Sequence, residues 1–125
     1  MRSPRALASW IPVLAGALGA LACACGGEDT RPAQWRYLHA AIIAPSCASA
    51  SCHSRGTQAG GLAFEDQAMT YQTFLEGQYV IAGDPQSPLI YLLEGRERDR
   101  MPPDNPLPRA DIQLIQRWIE EGAMP

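Results

Sequence analysis

The sequence reads as an all-α domain with long loops. Three observations carry that expectation. In residues 109–121 the apolar side chains Ile112, Leu114, Ile115, Trp118 and Ile119 fall on one stripe, about 160° wide at 100° per residue, while Gln113, Gln116, Arg117 and Glu120 face away. Upstream, apolar residues at helical spacing are bracketed by prolines, capping residues and glycines. No alternating apolar–polar run of sheet length and no internal repeat is present. Charge narrows the function. Ten basic residues, all arginine, stand against thirteen acidic ones for a formal charge of −3. Without a basic block, the electrostatic footprint of a nucleic-acid binder is excluded.

Residues 1–24 read as an export signal. Arg2 and Arg5 form a positive start, and Ala6 to Ala22 is uncharged and rich in Ala and Leu. Leu21-Ala22-Cys23-Ala24-Cys25 resembles a bacterial lipobox, which implies lipid attachment to a cysteine after cleavage. Cys23 and Cys25 each follow a small residue. Cys25 is preferred, because Gly26-Gly27 and Glu28-Asp29 follow it as a tether would. Residues 25–30 are then the tether and residues 31–125 the domain. The expectation is an exported protein, lipid-anchored on the periplasmic face of a bacterial membrane. Removing residues 1–24 takes away two arginines and leaves the mature chain more acidic.

The elements follow in order. Residues 32–43 suit a first helix: Thr30 can cap it, Pro32 fits its first turn, Trp35, Leu38 and Ile42 share a face, and Pro45 stops it. Residues 46–61 are irregular, rich in Ser, Ala and Gly. A second helix over 65–75 places Ala68, Tyr71 and Leu75 on one side and ends at Gly77. Tyr79-Val80-Ile81 is a short extended piece closed by the turn Gly83-Asp84-Pro85. Ser87-Pro88 opens a short helix over 89–93, ended by Gly95. Residues 96–108 form a polar, proline-rich loop, and the helix over 109–121 closes the domain with Gly122 as its cap. Trp35 and Trp118 are expected to meet between the terminal helices.

Chemistry concentrates in Cys47-Ala48-Ser49-Ala50-Ser51-Cys52-His53. Two cysteines followed directly by histidine follow the logic of covalent haem attachment, whose usual spacing is C-x-x-C-H. Each thiol adds to one haem vinyl group, and the histidine is held beneath the iron. Here four residues separate the cysteines. The same pair also suits a disulfide closing a small loop in an oxidising compartment. Zinc is disfavoured, since His39 and His53 are the chain's whole histidine content. A haem that shuttles electrons needs a second axial ligand, commonly methionine. Met101 precedes Pro102-Pro103, which stiffen its loop. Against that stands the plainer role of a loop methionine packed on the core. Met69, inside a helix, and Met124, near the chain end, are weaker candidates. His39 is expected at the surface, opposite the stripe of Trp35, Leu38 and Ile42. Among Arg96, Arg98 and Arg100, which alternate with Glu97 and Asp99, one arginine could pair with a haem propionate, but such runs are usually solvated.

Together these motifs resemble the small c-type cytochrome domains of exported proteins in myxobacteria and planctomycetes, over about residues 37–124. The resemblance rests on Ile43-Ala44-Pro45-Ser46-Cys47 leading into Cys52-His53, then Gly60-Gly61-Leu62, then Gly83-Asp84-Pro85 with Ser87 and Leu89. Met101-Pro102-Pro103 and the closing Ile115, Trp118-Ile119 and Gly122-Ala123 complete it. It implies a cytochrome c-like fold around one haem, with crossing terminal helices. It also implies covalent haem c at Cys47 and Cys52, with His53 and Met101 as the axial ligands of the iron. The C-x4-C spacing departs from the usual pattern, and a haem-free lipoprotein of the same fold, with a Cys47–Cys52 disulfide and a binding or structural role, is the alternative. No nucleophile elbow or phosphate loop is present. With both axial positions filled, the resemblance implies one-electron transfer to redox partner proteins rather than catalysis.

One lipid chain holds a protein at a membrane only marginally, whereas several anchor it stably. In detergent phase partition of the exported protein, Cys25→Ser is expected to move it to the aqueous phase and Cys23→Ser to leave it in detergent. The reverse outcome would assign the lipid to Cys23.

Overall fold

The computed structural model describes residues 27–96 and 99–125. The signal segment, Cys23 and Cys25, and Arg98 lie outside these residues. The described chain forms four helices, a 3₁₀ turn at Ala59–Gly61 and no strand. Helix α1 (residues 35–47) is α-helical over Trp35–Leu38, π-helical over His39–Ile43 and α-helical again over Ala44–Cys47. Helices α2 (Gln67–Glu76), α3 (Pro88–Glu94) and α4 (Arg109–Glu120) follow. None is long and apolar enough to cross a membrane.

Helix α1 differs from expectation at both ends. It starts at Trp35, after an extended Gln34 with φ −123° and ψ 139°, and no side chain caps it. The preceding residues are held instead by an ionic clasp. Arg31 pairs with Asp29 at 2.7 Å and with Asp111 at 2.5 Å. The Arg117 guanidinium donates to the carbonyls of Asp29, at 3.0 Å, and Arg31, at 2.5 Å. Hydrogen bonds from Arg31 hold the Asp29 carboxyl down at about 2. Asp29, counted above in the tether, is therefore fastened to the domain.

Nor does Pro45 stop α1. Proline lacks an N–H and its ring crowds the carbonyl four residues back. The ladder widens just before it: the Ala44 N–H bonds the His39 carbonyl, five residues back. Pro45 then falls in the first turn of the renewed α segment, which the Ala48 N–H closes on the Ala44 carbonyl at 3.1 Å. His39 is also misplaced by the sequence reading. It is only 6 % exposed, alongside the buried Trp35, Leu38, Ile42 and Ile43. At 100° per residue position 39 lies about 40° from position 35, on the same face rather than opposite it.

Helix α2 begins where Asp66 accepts hydrogen bonds from the Ala68 and Met69 N–H groups, at 3.0 and 2.9 Å. It buries Thr70 and Phe74, with Tyr71 and Leu75 half-buried, while Ala68 faces solvent. Its inner face is thus turned by about one position from the expected one. Residues 79–81 are neither helix nor strand and tie the helices together, through Val80 N–H to Phe74 O at 2.9 Å and Leu89 N–H to Tyr79 O at 2.8 Å. Ser87 precedes α3 as expected but makes no side-chain cap. Its fully buried hydroxyl accepts from the Ile81 N–H at 2.9 Å and donates to the Asp84 carbonyl at 2.8 Å, bracing the turn.

The stripe of α4 is buried throughout, as its spacing predicts. The helix ends by hydrogen bonds from Gly122 N–H to Ile119 O and from Ala123 N–H to Trp118 O. This closure needs a left-handed residue, and Gly122 supplies it at φ 102°. Trp35 stacks on Trp118, with ring centroids 5.1 Å apart and planes at 29°. Phe74 meets Trp35 edge-on at 5.7 Å. The two buried indoles donate to the carbonyls of Gln67 and Met124, at 3.0 and 2.8 Å.

Two substitutions separate core from cap. Ile119→Ala, at a side chain with no exposure, should cost about 2–5 kcal/mol in urea unfolding. Asp66→Ala should cost about 1 kcal/mol, the usual worth of an N-cap.

Candidate functional site

Beyond Cys47 the chain turns back on itself. The Cys52 N–H donates to Ser49 O at 2.9 Å, and the His53 N–H donates to Cys47 O at 3.1 Å. The four residues between the cysteines are thus taken up by one turn, and His53 returns beside the end of α1. Residues 50–57 are braced behind it: the Thr57 hydroxyl donates to Ala50 O at 2.5 Å, and the buried Ser54 hydroxyl accepts from the Thr57 N–H at 3.2 Å. The Ala59 N–H donates to Cys52 O at 3.1 Å, and the Phe64 N–H to His53 O at 2.8 Å. Between these two bonds the chain reverses at Gly60 and Gly61, both left-handed at φ 63° and 76°. A side chain there would be strained.

These loops enclose a cavity of about 370 Å³. Cys47, Cys52, His53 and Met101 all line it. The four residues singled out in the sequence therefore share one site, although Met101 comes from a loop far along the chain. The remaining walls are almost wholly apolar and include Leu62, Phe64, Phe74, Leu89 and Leu93. The Met101 loop is fixed to α3 by the Met101 N–H donating to Leu92 O at 2.9 Å. Met101 is 38 % exposed, so it stands at the mouth. Met69 and Met124 are 61 % and 68 % exposed and do not line the cavity.

The two sulfurs are free thiols in unlike surroundings. Burial, with a contribution from neighbouring Cys52, pushes the Cys47 thiol up to about 11. Hydrogen bonds from Ser49 and Ser51 hold the Cys52 thiol below its ordinary value. The His53 ring lies against Phe64, with centroids 4.6 Å apart. Its Nδ1 is the single buried side-chain nitrogen or oxygen without a hydrogen-bond partner among the described residues. A buried polar atom left in that state calls for a missing partner.

A haem fits this set of residues. Paired thiols suit vinyl groups, an imidazole and a thioether suit iron, and an apolar enclosure suits a porphyrin face. The unpaired polarity of His53 lies in the residue expected to meet the metal. Among the described residues no three His, Cys, Asp or Glu side chains gather as a metal site of their own. Of the three arginines before Met101, the two among the described residues are otherwise engaged: Arg96 pairs with Glu94, packs over the Tyr91 ring and donates to Gln86, and Arg100 donates to Pro103 O at 3.3 Å. Sequence reasoning missed His39, whose Nε2–H donates to Phe64 O at 3.0 Å directly behind the site. Its helical position relative to Trp35 was the available signal. Comparison of the chain with protein-family models, with curated proteins and with solved structures finds no match.

Thiolate is the reactive form of cysteine. In the haem-free protein, iodoacetamide at pH 8 should alkylate Cys52 well before Cys47, since burial suppresses the Cys47 thiolate while Ser49 and Ser51 favour that of Cys52. Peptide mapping at short times reads the order. Equal rates would contradict the difference in burial.

Proposed function

We propose that this chain is an exported, lipid-anchored, single-haem c-type cytochrome that passes one electron at a time between partner proteins. One observation carries this reading: Cys47, Cys52, His53 and Met101 line a single apolar cavity. Cys47 and Cys52 would hold the haem through thioethers, and His53 and Met101 would ligate its iron. Haem, when bound, supplies a one-electron iron couple whose potential depends on its ligands and burial.

The chain's own residues do the rest. Leu62, Phe64, Phe74, Leu89 and Leu93 exclude water, which favours the less charged redox state and limits solvent rearrangement. The hydrogen bond from His53 N–H to Cys47 O sets the histidine beside the first cysteine. The Met101 N–H bond to Leu92 O, with Pro102 and Pro103 following, holds the thioether on a stiff loop. The partly exposed Met101 leaves one edge of the site open toward solvent, where a redox partner would approach. An all-α fold whose first and last helices pack through Trp35 and Trp118 is compatible with a cytochrome c-like arrangement.

The test is maturation in cells carrying cytochrome c assembly machinery. The polypeptide is expected to gain the mass of one haem and to show a Soret band. A mass lower by two hydrogens, with no Soret band, would establish the Cys47–Cys52 disulfide instead. A thioether favours reduced iron, so Met101→Ala should lower the reduction potential and let the ferrous protein bind carbon monoxide. The near-infrared sulfur-to-iron band should disappear with it, whereas Met69→Ala and Met124→Ala should keep the band. Its survival in Met101→Ala would remove Met101 as a ligand.

A further inference from the structure

We propose that His39 is a positioning residue for His53 and acts through Phe64; this rests on the assignment of His53 as an iron ligand. Three contacts form the chain. The buried His39 ring donates from Nε2 to the Phe64 carbonyl at 3.0 Å. The same residue's N–H donates to the His53 carbonyl at 2.8 Å. The Phe64 ring lies on the His53 ring at 4.6 Å, tilted by 36°. Phe64 is therefore gripped at its carbonyl by α1 and at its N–H by the loop carrying His53, while its ring supports the imidazole.

The grip needs a side-chain N–H donor at position 39 for a chemical reason. A carbonyl only accepts, so Nε2 must carry a proton, and the contact fixes the tautomer. Phe64 is itself buried, so its carbonyl would lose its partner if the donor were removed, and burial makes that costly. The His39 ring is fixed in turn by Trp35, with centroids 5.7 Å apart. Phe74 also packs on Phe64, edge-on at 5.3 Å. His39 also opens the π-helical turn, and its carbonyl takes the wide hydrogen bond from Ala44. Such turns recur at functional sites, where they aim a side chain that a regular helix would place differently. Here the turn lies between His39 and Cys47, so one distortion sets the relation of the positioning residue to the first thiol. The carbonyl that His39 bonds belongs to Phe64, the residue whose N–H and ring both meet His53.

Two arms test the proposal. In the haem-free full domain, the His39 Nε2–H should be a resolved, slowly exchanging imidazole proton by NMR, coupled through space to Phe64. Its absence would overturn the proposal without any variant. His39→Leu keeps apolar volume and removes the donor. It should abolish the Phe64 ring-current displacement of the His53 ring protons while the Trp118 indole resonance stays in place. His39→Gln retains an N–H donor and should restore the displacement. Unchanged His53 resonances in a folded His39→Leu protein, or no recovery in His39→Gln, would overturn it. In the haem-loaded protein, His39→Leu should alter the ferric EPR g-values and shift the reduction potential, with both recovered in His39→Gln. A haem-free protein in every preparation, with the NMR arm intact, would sink the cytochrome assignment and leave the His39–Phe64–His53 support standing.

Discussion

The stacking of Trp35 on Trp118 is the contact on which the rest depends. It joins the first helix to the last at their buried faces, and it is the point from which α1 is aimed. One end of α1 is fixed by that stack and by the Arg31–Asp111 clasp beside it. The other end carries Cys47 into the cavity wall. An aromatic pair of this kind contributes about 0.5–1.5 kcal/mol beyond its burial. Its larger role is directional: with one end of α1 locked, the position of Cys47 follows from the path of the helix. That path includes a π-helical turn and a proline, so the helix is not a simple rod.

Much of this was readable in the sequence, and the failures have definite causes. The stripe of Ile112, Leu114, Ile115, Trp118 and Ile119 was legible because α4 is regular and packs on one side only. Helix α3 was legible because Pro88 starts it and Gly95, at φ 68°, ends it. Pro45 misled because its rule assumes an ordinary i to i−4 ladder, and the π-helical turn shifts that ladder. Ser87 misled because a serine before a helix has two uses, and burial directs its hydroxyl to Ile81 and Asp84. Residues 65–75 misled in phase: Thr70 is fully buried and satisfies its hydroxyl on the Asp66 carbonyl at 2.5 Å, so a polar letter occupies a core position. The site itself was legible as a set of residues, since cysteine, histidine and methionine are chemically distinctive. Its supports were not. The His39–Phe64–His53 chain depends on a carbonyl, and every residue has one.

The asymmetry of the two thiols follows from where the backbone puts them. Cys47 ends a helix and packs against the core, so its charge would be poorly solvated. Cys52 closes a serine-rich turn, where Ser49 and Ser51 stabilise a thiolate. Ser46 to Ser54 is therefore more than a flexible linker. Its serines have separate tasks: two tune Cys52, and Ser54 is buried and ties the following turn through Thr57.

The wider spacing between the cysteines bears on the same loop. A C-x-x-C pair leaves two residues between the sulfurs, so the backbone has little choice of path. Four residues allow a turn with its own hydrogen bond, Cys52 N–H to Ser49 O, before the chain reaches His53. The cost is extra conformational freedom, since each added residue must be ordered at about 1–2 kcal/mol. The loop offsets that freedom with its own hydrogen bonds: Thr57 and Ser54 on the 50–57 turn, Ala59 on Cys52, and Phe64 on His53. Cys47 and Cys52 are in this way presented together without help from a bond between them. What holds the second cysteine and the histidine in register is this set of hydrogen bonds, and Phe64, braced by His39, is its last fixed point.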